Sequence, residues 1–124
     1  MGPGETYFPK TVLVTGSRDF TDKEAIRARL KWAKERGFKI LVHGACRGAD
    51  KLADEVGREL GFEVYDYPAH WTWHGKVAGS IRNSAMLYLH RVSLVLAFPL
   101  PGSRGTRNMI DLARSAGINT VIMR

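Results

Sequence analysis

From residue 11 onward, short apolar runs alternate with amphipathic segments. TVLV (11–14), KILV (39–42), FEVYDY (62–67), SLVLAF (93–98) and TVIM (120–123) read as five strands, and the near-continuous ones suit a sheet covered on both faces. Between them, apolar residues recur at helical spacing: Ile26, Leu30 and Ala33; Leu52, Ala53, Val56 and Leu60; Ile81, Ala85 and Leu89; Met109, Leu112, Ala113 and Ala116. Four helices are therefore expected. Thr21 and Glu24 form a T-x-x-E capping box ahead of the first, and Gly37, Gly61 and Gly117 stand where helices should stop. The strand–helix alternation predicts one three-layer α/β domain, residues 11–124, with a parallel sheet of about five strands and helices on both faces. The opening MGPGETYFPK (1–10) has no sustained periodicity and reads as a loose arm.

Composition narrows the partners. A chain of 124 residues builds one core and not two. With 19 Lys+Arg against 12 Asp+Glu, the net charge of +7 favours nucleic acid, nucleotides or other phosphate compounds. Cys46 is the single cysteine, which excludes an intramolecular disulfide framework, and no apolar run approaches the roughly 20 residues of a membrane span. A reducing, cytoplasmic setting and no membrane contact are expected.

In an open parallel sheet, ligands bind beyond the carboxyl ends of the strands, where the strand-to-helix loops converge. Here those loops are TGSRDFT (15–21), HGACRGAD (43–50), PAHWTWHGKVAGS (68–80) and PLPGSRGT (99–106). Each combines glycine with a cation, respectively Arg18, Arg47, Lys76 and Arg104, while Arg82, Asn83 and Arg107 fall in the first turns of the helices that follow. Glycine-rich turns before helices suit phosphates, because backbone amides approach closely and the helix dipole favours an anion. The common nucleotide motifs are absent. Five residues after Gly44 stands Ala49, followed by Asp50 where a Walker A loop needs lysine, and TGSRDF lacks G-x-G-x-x-G spacing.

Taken together, GSRDF, HGACRGADKLA, YPAHW, GKVAGSIRN and PGSRGTRNMIDLARSAGI resemble the SLOG superfamily, and most closely its YspA/YpsA-related branch of bacteria and phages. The resemblance spans about residues 11–123. It implies a Rossmann-like fold that binds nucleotides or nucleotide-derived ligands. The superfamily includes LOG-type phosphoribohydrolases and the single-strand-binding DNA-processing protein DprA, and its members often self-associate, so a homo-oligomer is also implied.

One departure bears on catalysis. The phosphoribohydrolases carry P-G-G-x-G-T-x-x-E, whose glycines hold phosphate and whose glutamate assists N-glycosidic cleavage. PGSRGTRNM keeps Pro101, Gly102, Gly105 and Thr106 but puts Ser103 third and Met109 in the glutamate slot. Methionine moves no protons, so this mechanism lacks a key group. Asp50 is the substitute carboxylate to weigh, as a sugar or base contact or a weak catalytic candidate, against simple helix-dipole stabilisation; Asp19 reads first as a turn residue.

Cys46 precedes a helix beside Arg47, an environment that favours thiolate, but no orienting base is evident beyond the nearby His43. His70 and His74 are too few for zinc, so no metal or cofactor is expected. Trp71, at the YPAxW position, and Trp73 either close the core or stack on a purine, whereas Trp32 suits packing or an interface.

The expected pocket draws Gly16, Ser17 and Arg18 from the first loop, and Gly44, Gly48 and Asp50 from the second. Trp71, Lys76, Gly79, Arg82 and Asn83 come from the third, and Gly102, Gly105 and Thr106 from the fourth. The expected ligand is a nucleotide or derivative, ADP-ribose-like or a nucleoside monophosphate, bound for sensing, sequestering or processing. The alternatives are an N-glycosidase and a single-stranded DNA binder, the latter with only weak binding expected.

Overall fold

The computed structural model describes residues 9–123. Five strands, β1 (Lys10–Gly16), β2 (Phe38–His43), β3 (Glu63–Asp66), β4 (Leu94–Phe98) and β5 (Asn119–Ile122), form one parallel sheet in the order β3-β2-β1-β4-β5. Residues 1–8 of the expected arm lie outside the described residues, and Lys10 already belongs to β1.

Strand alternation sorts the core into two layers. Val12 and Val14 point to one face, with Leu41, Leu94, Leu96 and Phe98, against Ile26, Leu30 and Ala33 of α1 (Lys23–Glu35) and Ala49, Ala53 and Val56 of α2 (Ala49–Glu59). Leu13, Val42 and Val95 point to the other, against Met86 and Leu87 of α4 (Ala78–Leu89) and Met109 and Ala113 of α5 (Arg104–Ser115). Gly37, Gly61 and Gly117 follow the helix ends at φ of 90°, 85° and 73°, the left-handed conformation that stops a helix.

Three expectations need correction. The N-cap of α1 is Asp22, whose carboxylate accepts from the Ala25 amide at 3.0 Å; Glu24 pairs instead with Arg27, so the Thr21–Glu24 box does not form. The loop 68–80 contains a short helix, α3 (Trp71–His74), and a 3-10 turn (Gly75–Val77), and α4 begins at Ala78. Finally, Ile81 and Leu89 are 43% and 68% exposed. The buried face of α4 is Ala78, Asn83, Met86 and Leu87. A polar residue takes a core position there, which rotates the helix away from the face its apolar spacing suggests.

The crossovers leaving β1 and β4 go to opposite faces of the sheet, α1 on one and α5 on the other. Adjacent strands whose connections diverge leave a crevice at their carboxyl ends.

Candidate functional site

A cleft of about 600 Å3 occupies that crevice. Its walls are Gly16–Asp19 after β1, Gly44, Cys46, Arg47 and Asp50 after β2, Trp71 with the first turns of α4, and Pro101–Thr106 with Asn108 around the start of α5.

The anion-binding features concentrate at α5. Ser103 occupies its N-cap, but its hydroxyl donates to the Leu100 carbonyl at 2.8 Å and makes no cap bond, which leaves the first-turn amides of α5 without a side-chain acceptor. α2 and α4 also start without a side-chain cap, whereas Asp22 caps α1. Arg18 and Arg104 line the same cleft as exposed residues with no hydrogen bond or ion pair to a described residue. Arg47 sits 3.5 Å from Asp19 in an open pair. Unpaired cations beside open helix amides attract phosphate.

The HGACRGAD loop is built around two carboxylates. Asp50, 5% exposed, accepts at Oδ2 from the Gly44 and Cys46 amides at 3.1 and 3.2 Å. Burial raises its pKa above the ordinary carboxylate value, opposed by His43, the two amides and Arg82. Below it, Nδ1 of buried His43 accepts from the Ala45 amide at 3.0 Å, so the proton sits on Nε2, which donates to Asp54 at 2.7 Å. The Arg58 hydrogen bond, with His43 adding, holds the Asp54 pKa below its usual value. With both imidazole nitrogens engaged, His43 is not the base that a Cys46 nucleophile needs.

Arg82 ties three elements together. Its Nη1 donates to the Gly44 and Tyr67 carbonyls, the latter at 3.2 Å, and its Nε donates to Asn83 Oδ1 at 2.8 Å. Buried Asn83 then donates to Asn108 Oδ1 at 2.9 Å, joining α4 to α5. Arg82 thus stands at the cleft wall as a brace for the loops.

Most of the expected residues meet here. Gly16, Ser17, Arg18, Gly44, Asp50, Trp71, Gly79, Arg82, Asn83, Gly102, Gly105 and Thr106 all line the cleft. Gly48 does not. At φ 77° it lets the β1 loop pack against it, since an added Cβ would lie 2.3 Å from the Ser17 carbonyl and 2.5 Å from that of Arg18. Its close approach is to protein backbone, where the sequence suggested a ligand. The Lys76 side chain lies outside the described residues. Trp73 is 85% exposed and off the cleft, and Trp71 is half exposed at its edge, so neither closes the core. Met109 is fully buried in the second core layer, outside the cleft lining. Ser80 and Asn108 were missed; Asn108 falls one helical turn beyond Arg104, a spacing that puts both on one face of α5.

Among the described residues, no helix is long and apolar enough to cross a membrane, and no three His, Cys, Asp or Glu side chains cluster to hold a metal.

A five-stranded parallel sheet in this order, with a cleft at its switch point, defines a Rossmann-like α/β domain. The profile of the YspA, cpYpsA-related SLOG family matches residues 10–74, and the chain belongs to that family. It is 39% identical over 119 residues to the Gene 61 protein of Mycobacterium phage D29, covering 90% of this chain and 94% of that protein. Membership of a SLOG family points to a nucleotide-related function.

Proposed function

We propose that the cleft binds a nucleotide or nucleotide derivative, an ADP-ribose-like molecule or a nucleoside monophosphate, to sense, sequester or process it. The observation that carries this reading is the start of α5, without a side-chain cap, facing the cleft together with Arg18 and Arg104, which have no partner among the described residues. A phosphate seated there would receive amide hydrogen bonds and two cations. Trp71, at the cleft edge, offers a ring on which a base could stack.

The N-glycosidase alternative is weaker on this geometry, because Met109 stands where the phosphoribohydrolases carry glutamate and is buried away from the cleft. Binding of single strands draws on the +7 charge alone.

The test is thermal denaturation with a panel of adenine nucleotides, ADP-ribose and sugar phosphates. A ligand at 100 times its Kd stabilises the folded state by about 2.7 kcal/mol, which gives a clear shift. No shift and no calorimetric binding across the panel would overturn the reading.

A further inference from the structure

One polar atom in the wall of the cleft has no partner. Among the described residues, Oδ1 of Asp50 is the fully buried side-chain nitrogen or oxygen without a hydrogen bond. Its sister Oδ2 is held by the Gly44 and Cys46 amides, so the carboxyl group is fixed in place while half of its bonding capacity is unused. An unsatisfied buried oxygen is costly, and proteins seldom keep one without a use. Asp50 forms part of the cleft lining, so its carboxyl group borders the space that a ligand would fill.

The chemistry of the missing partner follows from the surroundings. A phosphate is a poor candidate, since it offers only acceptors and repels an ionised Asp50. An ammonium group is equally poor, because the rest of the rim supplies cations, namely Arg18, Arg47 and Arg104. Burial favours the neutral acid, while His43, Arg82 and two amides favour the carboxylate. A hydroxyl group is the partner that suits both forms, donating to the carboxylate and accepting from the acid. The anion-binding start of α5 lies in the same cleft. A ligand spanning the two carries a phosphate and a hydroxyl in one molecule, which describes a sugar phosphate.

We propose that Asp50 Oδ1 is the sugar-hydroxyl contact of the cleft, and that it makes the site selective for ribose-bearing nucleotides over analogues without those hydroxyls. The inference rests on the nucleotide reading above and adds the part of the ligand that the anion site cannot recognise.

The experiment is calorimetric titration of the wild type, Asp50→Ala and Asp50→Asn with AMP, 2′,3′-dideoxy-AMP and inorganic pyrophosphate. The wild type should bind AMP at least about tenfold more tightly than the dideoxy analogue, the effect of one hydrogen bond to a charged group. Asp50→Ala should bring that ratio near one and keep its pyrophosphate affinity. Asp50→Asn should keep a ratio between those of wild type and Asp50→Ala, because its amide still accepts from the loop through oxygen and donates to the hydroxyl through nitrogen, but without charge.

A wild-type ratio near one overturns the proposal and leaves the anion site standing. So does a ratio that survives in Asp50→Ala, or an Asp50→Asn variant that behaves like alanine. Loss of pyrophosphate binding in Asp50→Ala also overturns it, since Asp50 would then only brace the loop. A wild type that binds neither AMP nor pyrophosphate removes the nucleotide reading itself, and this inference with it.

Discussion

The Arg82 guanidinium lies over Gly44 so closely that a Cβ on the glycine would fall 2.5 Å from Nη1. A residue with no side chain in one loop and a long cation from a helix 38 residues later form a single joint. The joint fixes the end of β2, the end of β3 and the start of α4 relative to one another.

Arg82→Ala should therefore destabilise the fold by about 2 to 4 kcal/mol, because two backbone carbonyls and Asn83 Oδ1 lose a charged donor. Lysine, without the planar fork, should restore less than half of this. Urea denaturation of both variants measures it, and a loss below about 0.5 kcal/mol would show that the joint is idle.

The two rim arginines should behave in the opposite way. Arg18→Ala and Arg104→Ala remove exposed side chains with no described partner, so stability should stay within about 0.5 kcal/mol of wild type. Each should weaken pyrophosphate binding about tenfold, the worth of a charge-assisted contact. Denaturation and titration on the same samples separate these arginines from Arg82.

Gly48→Ala should cost at least about 2 kcal/mol, because its Cβ would collide with the Ser17 and Arg18 backbone at φ 77°. Gly102→Ala, at φ 86° with open space around it, carries only the backbone penalty of about 1 kcal/mol. Equal melting temperatures for the two variants would contradict the loop-packing role of Gly48.

The two carboxylates of the HGACRGAD region should give pH dependences of opposite sign. Asp54 has a lowered folded pKa, so its contribution is present above the unfolded carboxylate pKa and is lost as pH falls through the folded value. Asp50 has a raised one, so stability falls as pH rises from the unfolded pKa through the folded value. Asp54→Asn should flatten the acid limb of the stability curve. Asp50→Asn should gain stability relative to wild type as pH rises. Denaturation midpoints between pH 3 and pH 8 test both signs.

The sequence made the centre of the sheet legible because β1, β2 and β4 carry compact apolar runs between turn signals, and burial on both faces leaves few other readings of LVLAF or TVLV; the edge strands EVYD and NTVI are less buried and read less sharply. The site was legible at the level of loops, since a parallel sheet fixes which ends converge. The facing of α4 was not. Ile81, Ala85 and Leu89 outline an apolar stripe, but the Arg82–Asn83–Asn108 network claims the inward side, and a hydrogen-bond network spread over two helices has no local signature. Gly48 was misread for a related reason. Its glycine requirement comes from the backbone of residues 17 and 18, a contact that only the packed loops reveal.

The proposed function requires an anion seated against the start of α5 beside Arg18 and Arg104. Amide chemical shifts of isotope-labelled protein, followed while AMP is added, test it most directly. Saturable shifts should be concentrated at Gly105, Thr106 and the Ser17–Asp19 loop, with weaker ones at Gly44, and none along α1 or β5. Saturable shifts confined to other surfaces, or none at millimolar AMP, would contradict it.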